Sequence, residues 1–365
     1  MTYDVGFLGY GMMGKAHANA LARLPMFFPA APATNRHVIV GRDETALAEA
    51  ADRYGFDRTT TDWREAVDAV DVLYVLTPNH LHADPTVAAL EAGVHVLCEK
   101  PLARTLDEAD RMVDAAEASD AVAGCAFNYR FVPAIRRIKE LVDDGALGEL
   151  RHVRGEFIQQ FQADADGPWL WRNDADVAGY GWIGDAGSHT IDLARWLVGD
   201  VERVAGMLSQ FVDERPHPDT GEPTPVTTTD AYGALLEFES GVQGVIEGSR
   251  VATGHENTNT IELIGSRGAV RYRVDRFNEL ELRREGDEGF QTISVTGPDN
   301  PYMDHWWPAG HGVDWEHSLV HENDEFLRHV DGGERYAPDF ADAYAVQEVV
   351  EAVVESADRG AWVTV

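Results

Sequence analysis

The stretch "VGFLGYGMMGKAHANAL" (residues 5–21) decides how the first half of the chain is read. A short apolar run leads into Gly9-x-Gly11-x-x-Gly14, and a helical pattern starts at once. Glycines at this spacing permit a tight turn and a close backbone approach, and the free N–H groups opening the helix face an anion such as a pyrophosphate. Such a triplet is weak evidence alone. Here it stands at the first strand of a strand–helix series, and so predicts a dinucleotide site.

The series continues outward. Strand candidates Val5–Leu8, His37–Val40, Val70–Leu76, Val94–Cys98 and Ala121–Phe127 alternate with helical patterns such as "DETALAEAADRYG", "HADPTVAALEAG" and "TLDEADRMVDAAEASD". Short buried strands joined by helical crossovers imply a parallel sheet covered on both faces. After residue 128 the rhythm becomes hairpin-like: "LRHVRGEFIQQF", "RVAGMLSQFV", "AYGALLEFESGVQGVIEGSR" with a turn at Ser240-Gly241, "NTIELIGSRGAVRYRV" with a turn at Ser266–Gly268, and "ELELRREGDEGFQTISV". A helix, "DFADAYAVQEVVEAVVESADRG", and a short strand close the chain. The predicted fold is α/β: a Rossmann-type, doubly wound parallel sheet over 1–127, then an α+β domain over 128–365 with a large, mostly antiparallel open sheet. An open sheet with helices on one face buries its other face between subunits, which predicts a homo-oligomer, dimer or tetramer.

Across 365 residues the formal charge is −33. That surface repels nucleic acid and anionic membrane, excluding both as partners. The acidic excess with few lysines predicts a high-salt cytoplasm, where screening tames self-repulsion; GC-rich codon usage explains the arginine-over-lysine bias equally well. No signal segment or long apolar run is evident, so a cytoplasmic location is expected. Cys98 and Cys125 read as reduced core thiols.

The second strand ends Gly41-Arg42-Asp43. NAD-selective sites place a carboxylate where Gly41 stands, whereas Arg42 suits a 2′-phosphate, so the cofactor is read as NAD(P), leaning to NADP. Asp43 remains within reach of a ribose in this reading. "LTPNHLHAD" (76–84) leaves Thr77, Asn79 and His82 at the carboxyl edge of the sheet, where ligands lie in such folds. His80 and His82, without a third ligand nearby, read as loop residues and not as a metal site.

Lys100, in "HVLCEKPLAR" (95–104), is one of three lysines in the chain and falls at the same edge. A flexible ammonium point-donates to a hydroxyl and titrates when desolvated, which a guanidinium does not. In "GDAGSHTIDLARWLVG", Asp185, His189 and Asp192 recur at i, i+4 and i+7 on one helix face, opposite Leu193, Ala194, Leu197 and Val198. Alone, these three fit a solvated polar stripe; beside the Glu-Lys-Pro lysine and the glycine fingerprint they read as chemistry.

"GYGMMGKAH", "TPNHLHAD", "CEKPLA" and "GDAGSHTIDLARWLVG" together resemble the Gfo/Idh/MocA oxidoreductases, over nearly the whole chain. Within that family "LPMFFPAAPA", "TDWREAV", "EKPLART", "AFNYR" and "ESADRGAWVTV" are most similar to an anhydrosugar dehydrogenase branch, from whose acidic second-strand residue Gly41-Arg42 departs. The resemblance implies an NAD(P)-dependent dehydrogenase acting on a secondary hydroxyl of a sugar, anhydrosugar or cyclitol. It implies that Lys100 binds the reacting hydroxyl, His189 is general base and Asp185 orients and polarises the site. Cofactor contacts fall to Gly9, Gly11, Met12, Met13, Gly14, Arg42, Thr77, Asn79, His82, Glu99, Lys100 and Asn128. Substrate contacts fall to Lys100, Tyr129, Gln160, Trp171, Arg172, Asp185 and His189, amides, phenols and indoles that suit a neutral polyol. No metal is required. Alternatives are an aldose 1-dehydrogenase forming a lactone, a redox-type glycoside-cleaving enzyme, and a non-catalytic sugar or nucleotide sensor.

Two further stretches stand out. "HWWPAGHGVDWEHSLVHE" (305–322) carries His317 and His321 at helical spacing and reads as a packed helix start with a substrate-side loop. "PMFFPAAPA" (25–33) either covers the nucleotide or a neighbouring subunit, or packs on its own domain.

Overall fold

A computed structural model describes residues 1–365. It opens with strand β1 (Thr2–Leu8), helix α1 (Met12–Phe27), β2 (Ala33–Val40), α2 (Glu44–Tyr54), β3 (Arg58–Thr60), α3 (Trp63–Val67), β4 (Val72–Val75), α4 (Ala83–Glu91), β5 (His95–Cys98), α5 (Leu106–Glu117) and β6 (Ala123–Cys125). The six strands pair in parallel in the order β3-β2-β1-β4-β5-β6. Strand order reverses between β1 and β4, and this switch point is where such sheets take their ligands. All of β4 is buried, as a strand covered on both faces must be. Strand β3 escaped the sequence reading because "RTT" is short, polar and mostly exposed, with no apolar run to mark it. Cys98 and Cys125 are buried register partners on β5 and β6 and form no disulfide.

The second stretch comprises α6 (Pro133–Asp143), β7 (Leu150–Ile158), α7 (Ala175–Ala178), α8 (Ser188–Val198), β8 (Val201–Ser209), β9 (Glu214–Pro216), β10 (Pro223–Pro225), β11 (Ala231–Phe238), β12 (Gln243–Ser249), β13 (Thr258–Gly265), β14 (Ala269–Arg273), β15 (Glu279–Arg283) and β16 (Gln291–Ser294). Then come α9 (Trp315–Gly332), α10 (Phe340–Arg359) and β17 (Val363–Thr364). Nine strands form one sheet, β16-β15-β14-β13-β7-β12-β11-β8-β17, in which only β7 and β12 run parallel. The expected hairpins β11–β12, β13–β14 and β15–β16 are present. Strand β7 belongs to none of them and lies mid-sheet between β12 and β13. Its Gly155 lets α8 approach closely, since a Cβ there would sit 2.4 Å from Thr190 Cγ2. Strand β12 alternates exposed and buried residues, turning Gly244, Ile246 and Gly248 inward and Gln243, Val245 and Glu247 outward.

The chain divides into two compact units, Met1–Phe131 with Trp315–Tyr344, and Val132–Asp314 with Ala345–Val365. The single cut expected after residue 127 therefore misses a returning segment: α9 packs on α1 within the first unit. Asn128 Nδ2 donates to Ser318 Oγ (2.8 Å), and His321 Nδ1 lies 2.8 Å from the Phe131 carbonyl oxygen. These contacts span 190 residues, a separation that hydropathy periodicity does not register. No helix is long and apolar enough to cross a membrane.

Candidate functional site

In the first unit, β1 ends in the glycine turn. Gly9 has φ 110°, a left-handed value that favours glycine, and a Cβ there would lie 2.7 Å from the Leu76 carbonyl oxygen, so β1 and β4 touch at this turn. A Cβ on Gly14 would meet the Gly9 carbonyl oxygen at 2.7 Å, whereas one on Gly11 would meet nothing within 4 Å. Gly11 caps α1 without any side chain, and Met12 is exposed. No side chain of the protein caps the first N–H groups of α1, which leaves them for an anion such as a pyrophosphate.

At the end of β2, position 41 carries no carboxylate. A Cβ on Gly41 would stand 2.1 Å from Tyr10 Cε1, so any side chain there must displace the Tyr10 ring. Asp43, read as within reach of a ribose, is the N-cap of α2, its Oδ1 accepting from Thr45 N–H (3.0 Å) and Ala46 N–H (2.9 Å). Arg42 is exposed between them. Burial pushes the His80 imidazole pKa down, with smaller contributions from Arg104, His82 and Arg42 that Glu108 opposes.

His82 joins the two loops beyond β4 and β5. Fully buried, its Nε2 lies 2.9 Å from the Thr77 carbonyl oxygen and its Nδ1 3.1 and 3.2 Å from those of Pro101 and Leu102. Burial depresses its pKa, opposed by these carbonyls and by Glu99. Thr77 is half-buried and Asn79 buried. Lys100 follows β5 by two residues and is half-buried; Glu99 is buried, and its Oε2 accepts the Lys100 backbone N–H at 3.2 Å. The structure therefore places Gly9, Thr77, His82, Glu99 and Lys100 at the carboxyl edge of one sheet, with His82 joining the loops that follow β4 and β5. Asn128 and Tyr129 are buried just beyond β6.

In the second unit, Asp185 does not sit on a regular α-helix. Ile183–Gly187 form a π-helical turn that leads into α8, so Asp185 and His189 flank a change of helical pitch, a local form common at functional sites. A solvated stripe is not what results: His189 is 6% exposed and Asp192 1%. Arg172 Nε donates to Asp185 Oδ2 (2.8 Å), and the guanidinium lies 4.3 Å over the Trp171 ring. The His189 ring stands 6.0 Å from that of Phe157 on β7. Gln160 does not join this group through its side-chain oxygen, which accepts from Gly254 N–H at 2.8 Å.

Sequence reasoning passed over Arg250 and Asp230. They form a fully buried ion pair (2.8 Å), and Arg250 Nη1 also donates to the Arg172 carbonyl oxygen (3.2 Å), fixing the backbone that carries Trp171 and Arg172. Burial lowers the Arg250 pKa while the Asp230 charge raises it. The signal in "EGSR" was a single charge at a strand end, indistinguishable in sequence from a solvated one. In the 305–322 stretch, His317 pairs with Arg23 (3.2 Å) and His321 is buried. Phe28 of the 25–33 loop is fully buried, its ring 5.8 Å from that of His321, so this part of the loop packs on its own unit.

Residues 3–127 match the model for the oxidoreductase family with an NAD-binding Rossmann fold, and residues 135–271 match that for the GFO/IDH/MocA C-terminal domain. The chain is 38% identical to levoglucosan dehydrogenase of Pseudarthrobacter phenanthrenivorans, covering 99% of this chain and 98% of that protein. It is 29% identical to D-xylose 1-dehydrogenase (NADP(+)) 2 of Haloferax volcanii, covering 96% and 98%. A solved levoglucosan dehydrogenase in complex with NADH and levoglucosan superposes with a TM-score of 0.97 at 39% identity, covering 100% of this chain and 99% of that one.

Proposed function

Because the chain belongs to the Gfo/Idh/MocA family of NAD-binding oxidoreductases, we propose that it oxidises a secondary hydroxyl of a sugar, anhydrosugar or cyclitol with NAD(P). The observation that carries the reading is Lys100, set at the carboxyl edge of the parallel sheet with the open glycine turn and tied there through Glu99. The nicotinamide supplies the hydride acceptor. Gly9, Gly11, Met12, Met13 and Gly14 hold the pyrophosphate by backbone N–H groups; Thr77, Asn79, His82, Glu99 and Asn128 shape the remainder of the cofactor site.

Lys100 holds the reacting hydroxyl. His189 takes its proton, in a buried setting that keeps bulk water from competing. Asp185, already charged against Arg172, polarises this region and favours the imidazolium that forms. Trp171, Arg172 and Tyr129 line the substrate, with Gln160 bracing the adjoining turn. Arg42, exposed beside a position 41 that carries no carboxylate, takes the 2′-phosphate of NADP.

The Haloferax volcanii relative favours a second reading. Its name gives both an aldose C1 reaction and NADP(+), which would make the product here a lactone. We further propose a homo-oligomer, dimer or tetramer, built through the outer face of the large sheet, where Met207, Leu235 and Val245 are exposed. The charge of −33 and the reduced, buried cysteines support a high-salt cytoplasm.

The test is a screen of anhydrosugars, aldoses and inositols with NAD and NADP in molar salt, with product analysis. A ketone from an anhydrosugar or cyclitol supports the first reading and a lactone from an aldose the second. Nucleotide binding without turnover of any of them removes both.

A further inference from the structure

Behind Lys100 the first unit buries a chain of polar side chains drawn from four separate elements. Tyr74 (β4) donates its hydroxyl to Asn323 Oδ1 (2.8 Å), and Asn323 Nδ2 (α9) lies 2.7 Å from the Leu319 carbonyl oxygen and 3.0 Å from His17 Nδ1. His17 (α1) Nε2 lies 3.2 Å from Glu99 Oε1, and the other oxygen of Glu99 accepts the Lys100 backbone N–H. Tyr74, His17 and Asn323 are fully buried, and Glu99 is 5% exposed.

The protons in this chain follow from donor and acceptor chemistry. A backbone carbonyl only accepts, so Leu319 fixes the Asn323 amide with its nitrogen inward. Burial and the charge of Glu322 push the Tyr74 phenol up, so it stays a neutral donor to the amide oxygen. The second amide hydrogen then points at His17 Nδ1, which must offer its lone pair. The ring proton is thereby placed on Nε2, facing the Glu99 carboxylate.

We infer that Asn323 and His17 are positioning residues, which lock the imidazole in its Nε2–H tautomer so that it holds Glu99, and through Glu99 the backbone that presents Lys100. The inference rests on the proposed role of Lys100. In this arrangement His17 holds a proton and does not relay one. An error of about 1 Å in the placement of a reacting group costs on the order of 10²-fold in rate, so releasing Glu99 is felt at Lys100.

The test uses the full-length protein with ¹⁵N-labelled histidine, and the activity found in the substrate screen. In the nucleotide-free protein the neutral ring of His17, assigned by its loss in His17→Gln, is expected to show a protonated Nε2 and an unprotonated Nδ1. A neutral ring that carries its proton on Nδ1 overturns the inference. His17→Leu is expected to lower kcat at least tenfold. His17→Gln, which still donates to Glu99 but cannot titrate, is expected to recover to within threefold of the parent. Unchanged kcat in His17→Leu, or His17→Gln as slow as His17→Leu, also overturns it. If His17→Leu does not fold, the ring spectrum and His17→Gln decide. The spectrum needs no substrate, so full activity in Lys100→Ala would sink the proposed function while the ring still judges the positioning role of His17.

Discussion

Arg172 Nε and Asp185 Oδ2 stand 2.8 Å apart, the arginine stacked on Trp171 and its carbonyl held by the buried Arg250. The pair joins a short loop to the π-helical turn before α8, so the loop and the acid are positioned together. Arg172→Ala is expected to raise the sugar KM about tenfold and leave the nucleotide KM within twofold. Both partners are partly exposed, so the loss of stability is small, about 0.2–1 kcal/mol by chemical denaturation. A nucleotide KM that rises in parallel would refute the assignment.

Lys100→Ala and His189→Ala are each expected to reduce turnover at least about 10²-fold, with nucleotide affinity nearly unchanged, as for groups that handle a proton. Steady-state kinetics and nucleotide titration check this. Parent-like turnover in both variants removes the mechanism.

Arg42 is exposed beside Gly41, whose position is closed to a carboxylate by Tyr10. Arg42→Ala should weaken NADP about tenfold and spare NAD, because only NADP carries the 2′-phosphate that the guanidinium meets. Equal loss of both nucleotides, or of neither, contradicts the NADP preference.

His82 has a folded-state pKa below its ordinary value of about 6.5, mainly through burial. The unfolded chain therefore binds the extra proton first as pH falls. The stabilising contribution is complete above about pH 6.5 and is lost as pH drops from there toward the depressed folded value. Between pH 7.5 and 5.5 the parent should lose more stability to urea than His82→Gln, by at most about 1.4 kcal/mol per pH unit. An identical pH dependence in the two proteins would count against a neutral, buried His82.

Leu235 on β11 and Val245 on β12 are register partners, 48% and 49% exposed, on the outer face of the nine-stranded sheet. Leu235→Arg is expected to shift the protein toward monomer in light scattering at molar salt, because a charge is costly where apolar surface is to be covered. A parent protein that is already monomeric there would refute the proposed interface.

Much of this fold was legible because its signals are local. The strand–turn–helix of residues 5–21 needs only glycine spacing and hydropathy, and the hairpin β11–β12 announces itself through Ser240-Gly241 between alternating strands. Strand β3 was missed because it is too short and polar to carry a pattern. The mid-sheet place of β7 depends on partners far along the chain, β12 and β13.

For the site, the residue types at Lys100, Asp185 and His189 were chosen from the sequence, together with the glycine turn, because their chemistry and spacing are written in short motifs. Tertiary structure alone decided that Asp43 caps a helix, that Tyr10 fills the space beside Gly41, and that Asn323 returns on α9 to complete the first unit at His17. Spacing along a chain fixes which side chains share a face over a few turns. Which atom accepts a given proton depends on neighbours brought in from hundreds of residues away, and that information exists only once the chain has packed.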